Sequence, residues 1–312
     1  MNLQQLEYII AVDRFKNFTK AANHCCVTQA TLSAMIKKLE LELNIILFDR
    51  RPKGVYTTDD GLEIIEVARN IVLQSKALTE KAKMINGTIA GKIRIGIIPT
   101  IANSLLPRIV KPLLELYPDL KLEFAELTTD HILKQLKEGH IDVAILATPV
   151  VDSEIDKTVL FHETLMVYGD VSTDKNYLLP EEIRKHKVWL FEEGHCLRAQ
   201  FIRLCALKKK EETVKNLILE ASSFDTLLNM VDEFGGLTLI PELYYQSLPE
   251  DRKARVTQFH SPVPVREISL VFHMPHAKGR IIKAVANLIQ EKINHTLRSY
   301  KIPKEQLDIV SM

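Results

Sequence analysis

Apolar residues near the start of the chain recur at helical spacing. Leu3, Leu6, Ile9 and Ile10 predict a first helix ending near Arg14. Phe18 to His24 predicts a short second helix in which Ala21 and Ala22 allow close packing. Thr28 is placed to cap a third, whose buried stripe would be Leu32, Ile36, Leu39 and Leu43. Arg50-Arg-Pro-Lys-Gly-Val-Tyr-Thr-Thr58 predicts a hairpin wing. Between Asp60 and Asn86, Ile64, Ala68, Ile71, Ser75, Leu78, Ala82 and Ile85 alternate steps of four and three, the pattern of a coiled-coil seam. Such a stripe packs on its own domain or on a copy of itself, and the position between two domains favours the copy. Gly87 and Gly91 bracket an expected hinge over 87–91.

Farther on the pattern changes to strands alternating with helices. Lys92–Ile98, Leu120–Glu126 and Ile141–Ala147 read as strands separated by two helices, a β-α-β-α-β run that implies a parallel sheet. Ligands in such folds bind beyond the carboxyl ends of the strands. Thr100 and Thr129 lie there, free to cap helices or to hold something small. A second lobe is expected from Thr164, with strands at Val188–Phe191, Leu217–Glu220 and Leu237–Ile240 and a helix at Ser223–Phe234. The strand Ile268–His273 and the helix Ile281–Leu297 would complete the first lobe. The expected fold is α+β and multidomain: a winged helix-turn-helix (1–58), a long linker helix for dimerisation (59–86), the hinge, and a two-lobed α/β domain like that of periplasmic binding proteins. Lobe I is expected at 92–163 and 268–300, lobe II at 164–267.

Composition narrows the class. The chain has 312 residues, 46% of them hydrophobic, and a net charge of +1. Nothing at the N-terminus resembles a basic start followed by an apolar core, and no apolar run approaches the roughly 18 residues of a membrane span. Four cysteines without regular spacing fit a reducing, cytoplasmic setting. There is no C-x-x-C or H-E-x-x-H motif, and neither a metal nor a cofactor is expected. Residues 1–58 carry eight cations against five anions, a mild excess compatible with DNA or with an ordinary helical bundle. The polar face of the third helix shows Gln29, Ser33, Lys37 and Lys38, which can reach bases or phosphates. Arg50, Arg51 and Lys53 on the wing suit the phosphate backbone.

The stretch from Trp189 to Leu207 holds Cys196 and Cys205. Cys196 follows His195 and precedes Arg198 by two residues. Cations or a helix N-terminus nearby would lower its pKa. Were 196–205 helical, the two Cα atoms would stand roughly 13 Å apart with their thiols on opposite faces. A disulfide needs about 7 Å or less, so pairing would require unwinding. A redox switch is one reading. Two buried cysteines acting as small hydrophobes is the other.

Leu6-Glu-Tyr-Ile, Phe18, Ala21-Ala22, Val27-Thr-Gln-Ala-Thr-Leu-Ser33, Ile36, Leu39-Glu, Leu43, Leu47-Phe-Asp-Arg-Arg51 and Thr57-Thr58 together resemble the DNA-binding end of LysR-type transcriptional regulators. Ala30 departs from the proline common there, a change of little consequence because proline mainly pre-sets the first helical turn. Gly194-His-Cys-Leu-Arg198, Gln200 and Cys205 resemble the sensing segment of the family's peroxide-responsive members, as do Pro99-Thr100, Leu105-Leu-Pro107, Thr129, Ser222–Met230 and Leu237-Thr-Leu-Ile-Pro241. The resemblance implies that Cys196 is peroxidatic and Cys205 resolving. It also implies that His195 and Arg198 stabilise charge, that Thr100 and Thr129 hold hydrogen peroxide, and that Arg266 supports the pocket. It places Thr28, Gln29, Thr31, Ser33, Lys37, Lys38, Arg50, Arg51 and Lys53 on double-stranded DNA. Implied partners are a second copy through the linker helix, a homotetramer, RNA polymerase and a cellular disulfide reductant, at a bacterial nucleoid. Ala199 stands where an acid is usual, and Cys25 and Cys26 are expected only to pack. A regulator answering a small metabolite in the interlobe cleft, a thiol peroxidase and a solute-binding protein are the competing readings.

Overall fold

The computed structural model describes residues 1–51, 54–85, 89–150, 152, 154–171, 177–207, 219–273 and 278–311. Two compact units emerge, Met1–Thr88 with Pro275–Lys278, and Ile89–Met274 with Gly279–Met312.

The first unit begins with α1 (Leu3–Phe15), α2 (Phe18–His24) and α3 (Gln29–Leu43). Asn2 and Gln5 form a capping box on α1, Asn17 caps α2, and the Thr28 hydroxyl accepts from the Thr31 amide to cap α3. Leu32, Ile36 and Leu39 are buried and Leu43 is half-buried, so the expected stripe faces the core. Strands β1 (Phe48–Arg51) and β2 (Gly54–Thr57) pair antiparallel as the wing. Asp13 ties these parts together: its carboxylate accepts from Lys16, Thr57 and Arg69. Burial works against the charge, yet Lys16, Thr57 and Arg69 hold the Asp13 pKa below the usual carboxylate range. Stability from this knot is therefore present above the unfolded carboxylate pKa and lost as pH falls through the depressed one. Asp13→Asn is expected to lower the melting temperature of this unit at neutral pH and much less in acid.

Helix α4 (Asp59–Ile85) follows. Its buried positions are Ile65, Ala68 and Val72, packed on the core of this same unit. The expected seam is thereby corrected over its first half: only Ala68 is shared, and Ile64 is half-buried. Ile71 (37% exposed) and Leu78 (74%) remain open to solvent. The side chains of Ala82 and Ile85 fall outside the described residues.

The second unit opens with β3 (Gly91–Ile97), α5 (Pro99–Leu116), β4 (Leu120–Glu126), α6 (Thr129–Lys137) and β5 (Val143–Thr148). The three strands are parallel in the order β4-β3-β5, as the alternating pattern implies. Gly91 starts β3 opposite Leu120 rather than lying in a hinge. Residues 87 and 88 of the expected hinge lie outside the described residues. Strand β6 (Ile155–Gly169) is long because it serves both lobes. After β7 (Tyr177–Leu178) come α7 (Cys196–Leu204), α8 (Phe224–Phe234), β8 (Leu237–Pro241), the short α9 (Glu242–Tyr245) and α10 (Glu250–Lys253), and β9 (Val256–Phe259). Strand β10 (Val263–His273) returns antiparallel along β6 and pairs with β5, and α11 (Gly279–Ile293) packs on the lobe I core. β6 also pairs with β8 and β9 in lobe II. The two lobes are thus joined through a continuous pair of strands, β6 and β10.

Several expectations change. Val188–Phe191 is not a strand but two isolated bridges, Val188 to Leu237 and Phe191 to Ala221. Of the strand expected at 217–220, residues 217 and 218 lie outside the described residues, and Leu219 and Glu220 are not in a strand. The lysine-rich loop 208–212 also lies outside them. Helix α11 ends at Ile293, short of Leu297. The C-terminal stretch, whose pattern predicts no element, adds β11 (Leu307–Ile309), parallel to the start of β10. Cys25 packs half-buried on the first unit's core, but Cys26 is exposed with φ of 55°, which corrects the expectation that both pack.

Gly169, at the end of β6, has φ of 131°, and a Cβ there would collide with the Gly236 carbonyl oxygen. Gly169→Ala is expected to cost about 3 kcal/mol or more in urea denaturation of the second unit, because strain and clash act together.

Candidate functional site

Three helix starts converge on one thiol. Gly194, with φ of 91°, turns the chain into α7, His195 occupies the N-cap, and Cys196 is the first helical residue. Pro99-Thr100 opens α5 and Thr129 opens α6. The caps of those helices are Ile98 and Thr128, so neither Thr100 nor Thr129 is spent on capping. Both hydroxyls instead lie close enough to the Cys196 sulfur to favour its thiolate form. The buried Thr129 hydroxyl has no hydrogen-bond partner among the described residues.

Behind Thr100 stands Arg266, fully buried on β10. Its Nε donates to Glu163 Oε1 at 2.8 Å, Nη1 to Thr100 Oγ1 at 3.0 Å and Nη2 to the Thr100 carbonyl at 3.0 Å. Thr100 Oγ1 accepts from the guanidinium, so its own proton is free to point at sulfur. Arg266 is also the cation that acts most strongly on the thiol. Arg266 thus orients the Thr100 hydroxyl and places a positive charge near the thiol.

His195 and Arg198 line the cavity at Cys196, and each also contacts the turn before α7. His195 is buried, stacks on Phe191 with ring centroids 5.1 Å apart, and places Nε2 3.4 Å from Glu192 Oε1. Arg198 is half-buried and donates from Nη1 to the Phe191 carbonyl at 2.7 Å. Both brace the turn that leads into α7, since Phe191 bridges Ala221 and meets Phe224 edge-on.

Electrostatics correct the expectation of a lowered thiol pKa. Cys196 is 5% exposed, and desolvation pushes its pKa above the ordinary thiol value. Arg266, the Leu197 amide and the Thr100 and Thr129 hydroxyls pull the other way without reversing it. Reactivity of Cys196 should therefore keep rising with pH beyond the range of an exposed cysteine. A cavity of about 520 Å³ opens onto the thiol, walled in part by Leu133, Val150, Ala199 and Ile202.

Cys205 is the C-cap of α7 and fully buried. Burial raises its pKa to about 12, against the pull of Arg184, whose Nε holds the Cys205 carbonyl at 2.8 Å. The thiols occupy different hydrophobic cores: Cys196 belongs to that of lobe I, Cys205 to that of lobe II. Both are free.

On the first unit, Thr28, Gln29, Thr31, Lys37 and Lys38 are exposed and Ser33 is half-buried, at the cap of α3 and along the helix. Lys53, and the side chains of Arg50 and Arg51, lie outside the described residues. Among the described residues no cluster of His, Cys, Asp or Glu suits a metal, and no helix is long and apolar enough to cross a membrane.

A helix-turn-helix with a wing on one unit and a buried thiol beside a cavity on the other are the architecture expected of a transcriptional regulator. Two family profiles match the chain: "Bacterial regulatory helix-turn-helix protein, lysR family" over residues 3–62 and "LysR substrate binding domain" over 86–294. The chain belongs to the LysR family of transcriptional regulators. Within that family its similarity lies with the OxyR type. It is 32% identical over 304 residues to the hydrogen peroxide-inducible genes activator of Haemophilus influenzae, covering 96% of this chain and all of that one. It is 34% identical over 278 residues to the DNA-binding transcriptional dual regulator OxyR of Escherichia coli K12, covering 87% and 89%. Among solved structures, a full-length OxyR variant from Pseudomonas aeruginosa superposes with a TM-score of 0.78 at 27% identity, covering 94% of this chain and 96% of that one.

One residue of the site and one contact escape sequence reasoning. Glu163 gives no local signal, although it is the strand partner of Arg266 across β6 and β10. The Gln200 side chain, fully buried, donates to the Val310 carbonyl at 3.0 Å. Only the apolar Val310 at the end of a polar tail hints at that contact.

Proposed function

We propose that this regulator senses hydrogen peroxide through Cys196 and Cys205 and changes its grip on DNA in consequence. The Cys196 thiolate attacks one peroxide oxygen. The O–O bond breaks, Cys196 becomes a sulfenic acid, and the departing hydroxide takes up a proton to leave as water. The Thr129 hydroxyl, otherwise unpartnered, is available to the bound peroxide. Cys205 then attacks the Cys196 sulfur, a disulfide forms, and a second water leaves. Separation of the two thiols, one in each lobe core at opposite ends of a single helix, is the observation that carries this reading. Closing the bond must break α7, and the repacked lobe surface re-spaces the paired DNA-binding units.

The solvent-facing Ile71 and Leu78 on α4 suit a homodimer through that helix, and two dimers would make the tetramer. In this reading Thr28, Gln29, Thr31, Ser33, Lys37, Lys38, Arg50, Arg51 and Lys53 meet double-stranded DNA, RNA polymerase receives the output, and a cellular dithiol reductant resets the switch. The protein acts as a one-shot sensor in the bacterial cytoplasm rather than as an enzyme.

Micromolar peroxide followed by a sulfenic-acid probe is expected to label Cys196 in a Cys205→Ser variant. The wild type should instead give a Cys196–Cys205 disulfide on a non-reducing peptide map. Footprints of reduced and oxidised protein should differ, and those of Cys196→Ser should not. A metabolite sensor with an incidental cysteine would show no selective labelling.

A further inference from the structure

We infer that Glu163 is a positioning residue that sets how readily Cys196 reacts, by fixing the Arg266 guanidinium against Thr100 and by offsetting its charge. The inference rests on the peroxide-sensing reading above, in which Glu163 itself touches neither peroxide nor thiol.

Glu163 and Arg266 face each other in register on β6 and β10, and both side chains are 0% exposed. One carboxylate oxygen accepts from Arg266 Nε at 2.8 Å and the other from the Leu243 amide at 3.0 Å. Each oxygen is met by a donor, so the group sits there as an acceptor, in its anionic form. Nε is held by Glu163, which leaves the two Nη groups aligned on the Thr100 hydroxyl and carbonyl. The carboxylate that acts most on Glu163 is Glu242. It is engaged elsewhere, by Thr164 and the Arg298 amide. Facing Cys196 are Arg266 and, around the cavity, Asp130, Glu193, His195, Arg198 and Arg203. Of the three arginines only Arg266 is buried, and its charge is paired with Glu163, so Glu163 governs how much of that positive charge reaches the sulfur.

Two opposite consequences of losing Glu163 can be told apart. If the carboxylate only braces the fold, its loss lets Arg266 and Thr100 drift, and Cys196 becomes harder to ionise. If it tunes the site, loss of its charge leaves Arg266 unopposed, and Cys196 ionises more easily. The measurement is alkylation of Cys196 by iodoacetamide across pH, read by mass spectrometry of its peptide. It reports thiolate directly and does not depend on peroxide reactivity. For Glu163→Gln in the full-length protein, the midpoint is expected to fall by about one pH unit or more. At a pH below the wild-type midpoint, each such tenfold gain in thiolate should raise the alkylation rate roughly threefold. The remainder is offset by the weaker nucleophile, with a Brønsted slope of about 0.4–0.5. The double variant Glu163→Gln/Arg266→Met, which leaves no uncompensated buried charge, should have its midpoint above wild type. An unchanged or raised midpoint in Glu163→Gln overturns the inference. Should that variant not fold, a double variant titrating like wild type overturns it equally. Absence of selective sulfenic-acid labelling of Cys196 in Cys205→Ser would instead sink the sensing reading and leave the alkylation result standing.

Discussion

Peroxide treatment is expected to remove the amide protection of α7. In the reduced protein the Cys205 amide bonds the Phe201 carbonyl at 3.1 Å and the Leu207 amide bonds that of Ile202 at 2.9 Å, closing the last turn. A helix from Cys196 to a cap at Cys205 separates their Cα atoms by roughly 13 Å, about twice the span of a disulfide. No rotamer change bridges that gap, so the backbone must give. Hydrogen exchange at residues 198–207 should accelerate at least about a hundredfold, the equivalent of about 2.7 kcal/mol of lost local stability at 1.4 kcal/mol per decade. The effect should extend beyond the helix. Gln200 holds the Val310 carbonyl, and the Val310 amide holds Val265, so the β11 segment should exchange faster in the same step. A mapped Cys196–Cys205 bond with α7 still protected would refute the proposed switch.

The same contacts explain why such a bond would be reversible. In the proposed switch, oxidation would draw Cys205 out of the lobe II core, release Arg184 from its carbonyl and strip Gln200 from the tail. Each 1.4 kcal/mol spent on that repacking raises the disulfide's potential by about 30 mV. Ring closure over about ten residues returns only about 3 kcal/mol by chain entropy. Repacking costs above that bring the pair within reach of cellular thiols, which an unstrained structural disulfide resists.

Much of the fold and of the site is legible in the amino-acid sequence. Helical and strand periodicities report which side of an element meets the core, so α1 to α3, the wing and the β4-β3-β5 sheet are readable from apolar spacing. The Cys196–Cys205 interval marks a candidate switch because helix rise is fixed. What stays hidden depends on non-local partners. The seam on α4 is ambiguous in sequence because Ile65, Ala68 and Val72 make an equally good stripe, and only the core of the first unit selects it. Proximity in sequence brings Arg198 to the cavity of the thiol but does not reveal that its Nη1 holds the Phe191 carbonyl. Thiol acidity is misread because sequence shows neighbouring charges but not desolvation, the larger influence here. Glu163 and Arg266, far apart in the chain, become neighbours only when β6 and β10 pair.

Replacing Arg266 by Met should damage both stability and sensing, and pH separates the two. With both partners fully buried, removing the guanidinium strands the Glu163 carboxylate, a loss that typically costs about 3–5 kcal/mol. Burial already raises the Glu163 pKa, opposed chiefly by Arg266 and the Leu243 amide. A carboxyl with a folded pKa above its unfolded one contributes full stability below the unfolded value, about 4.3. That contribution is lost as pH rises through the folded value. Without Arg266 the folded value climbs further and the loss deepens. Arg266→Met should therefore melt nearer to wild type at about pH 5 than at about pH 8, where the full 3–5 kcal/mol penalty applies. The thiol follows its own course. Without Arg266 the strongest charge favouring thiolate disappears and Thr100 loses the donor that orients its hydroxyl. Peroxide reactivity of Cys196 should then fall by about tenfold or more even at acidic pH, where the fold is least affected, one decade corresponding to about 1.4 kcal/mol. A variant that melted with the same deficit at every pH would show that Glu163 is not a buried anion relying on Arg266. One that kept wild-type peroxide reactivity would show that the guanidinium does not act on the sulfur.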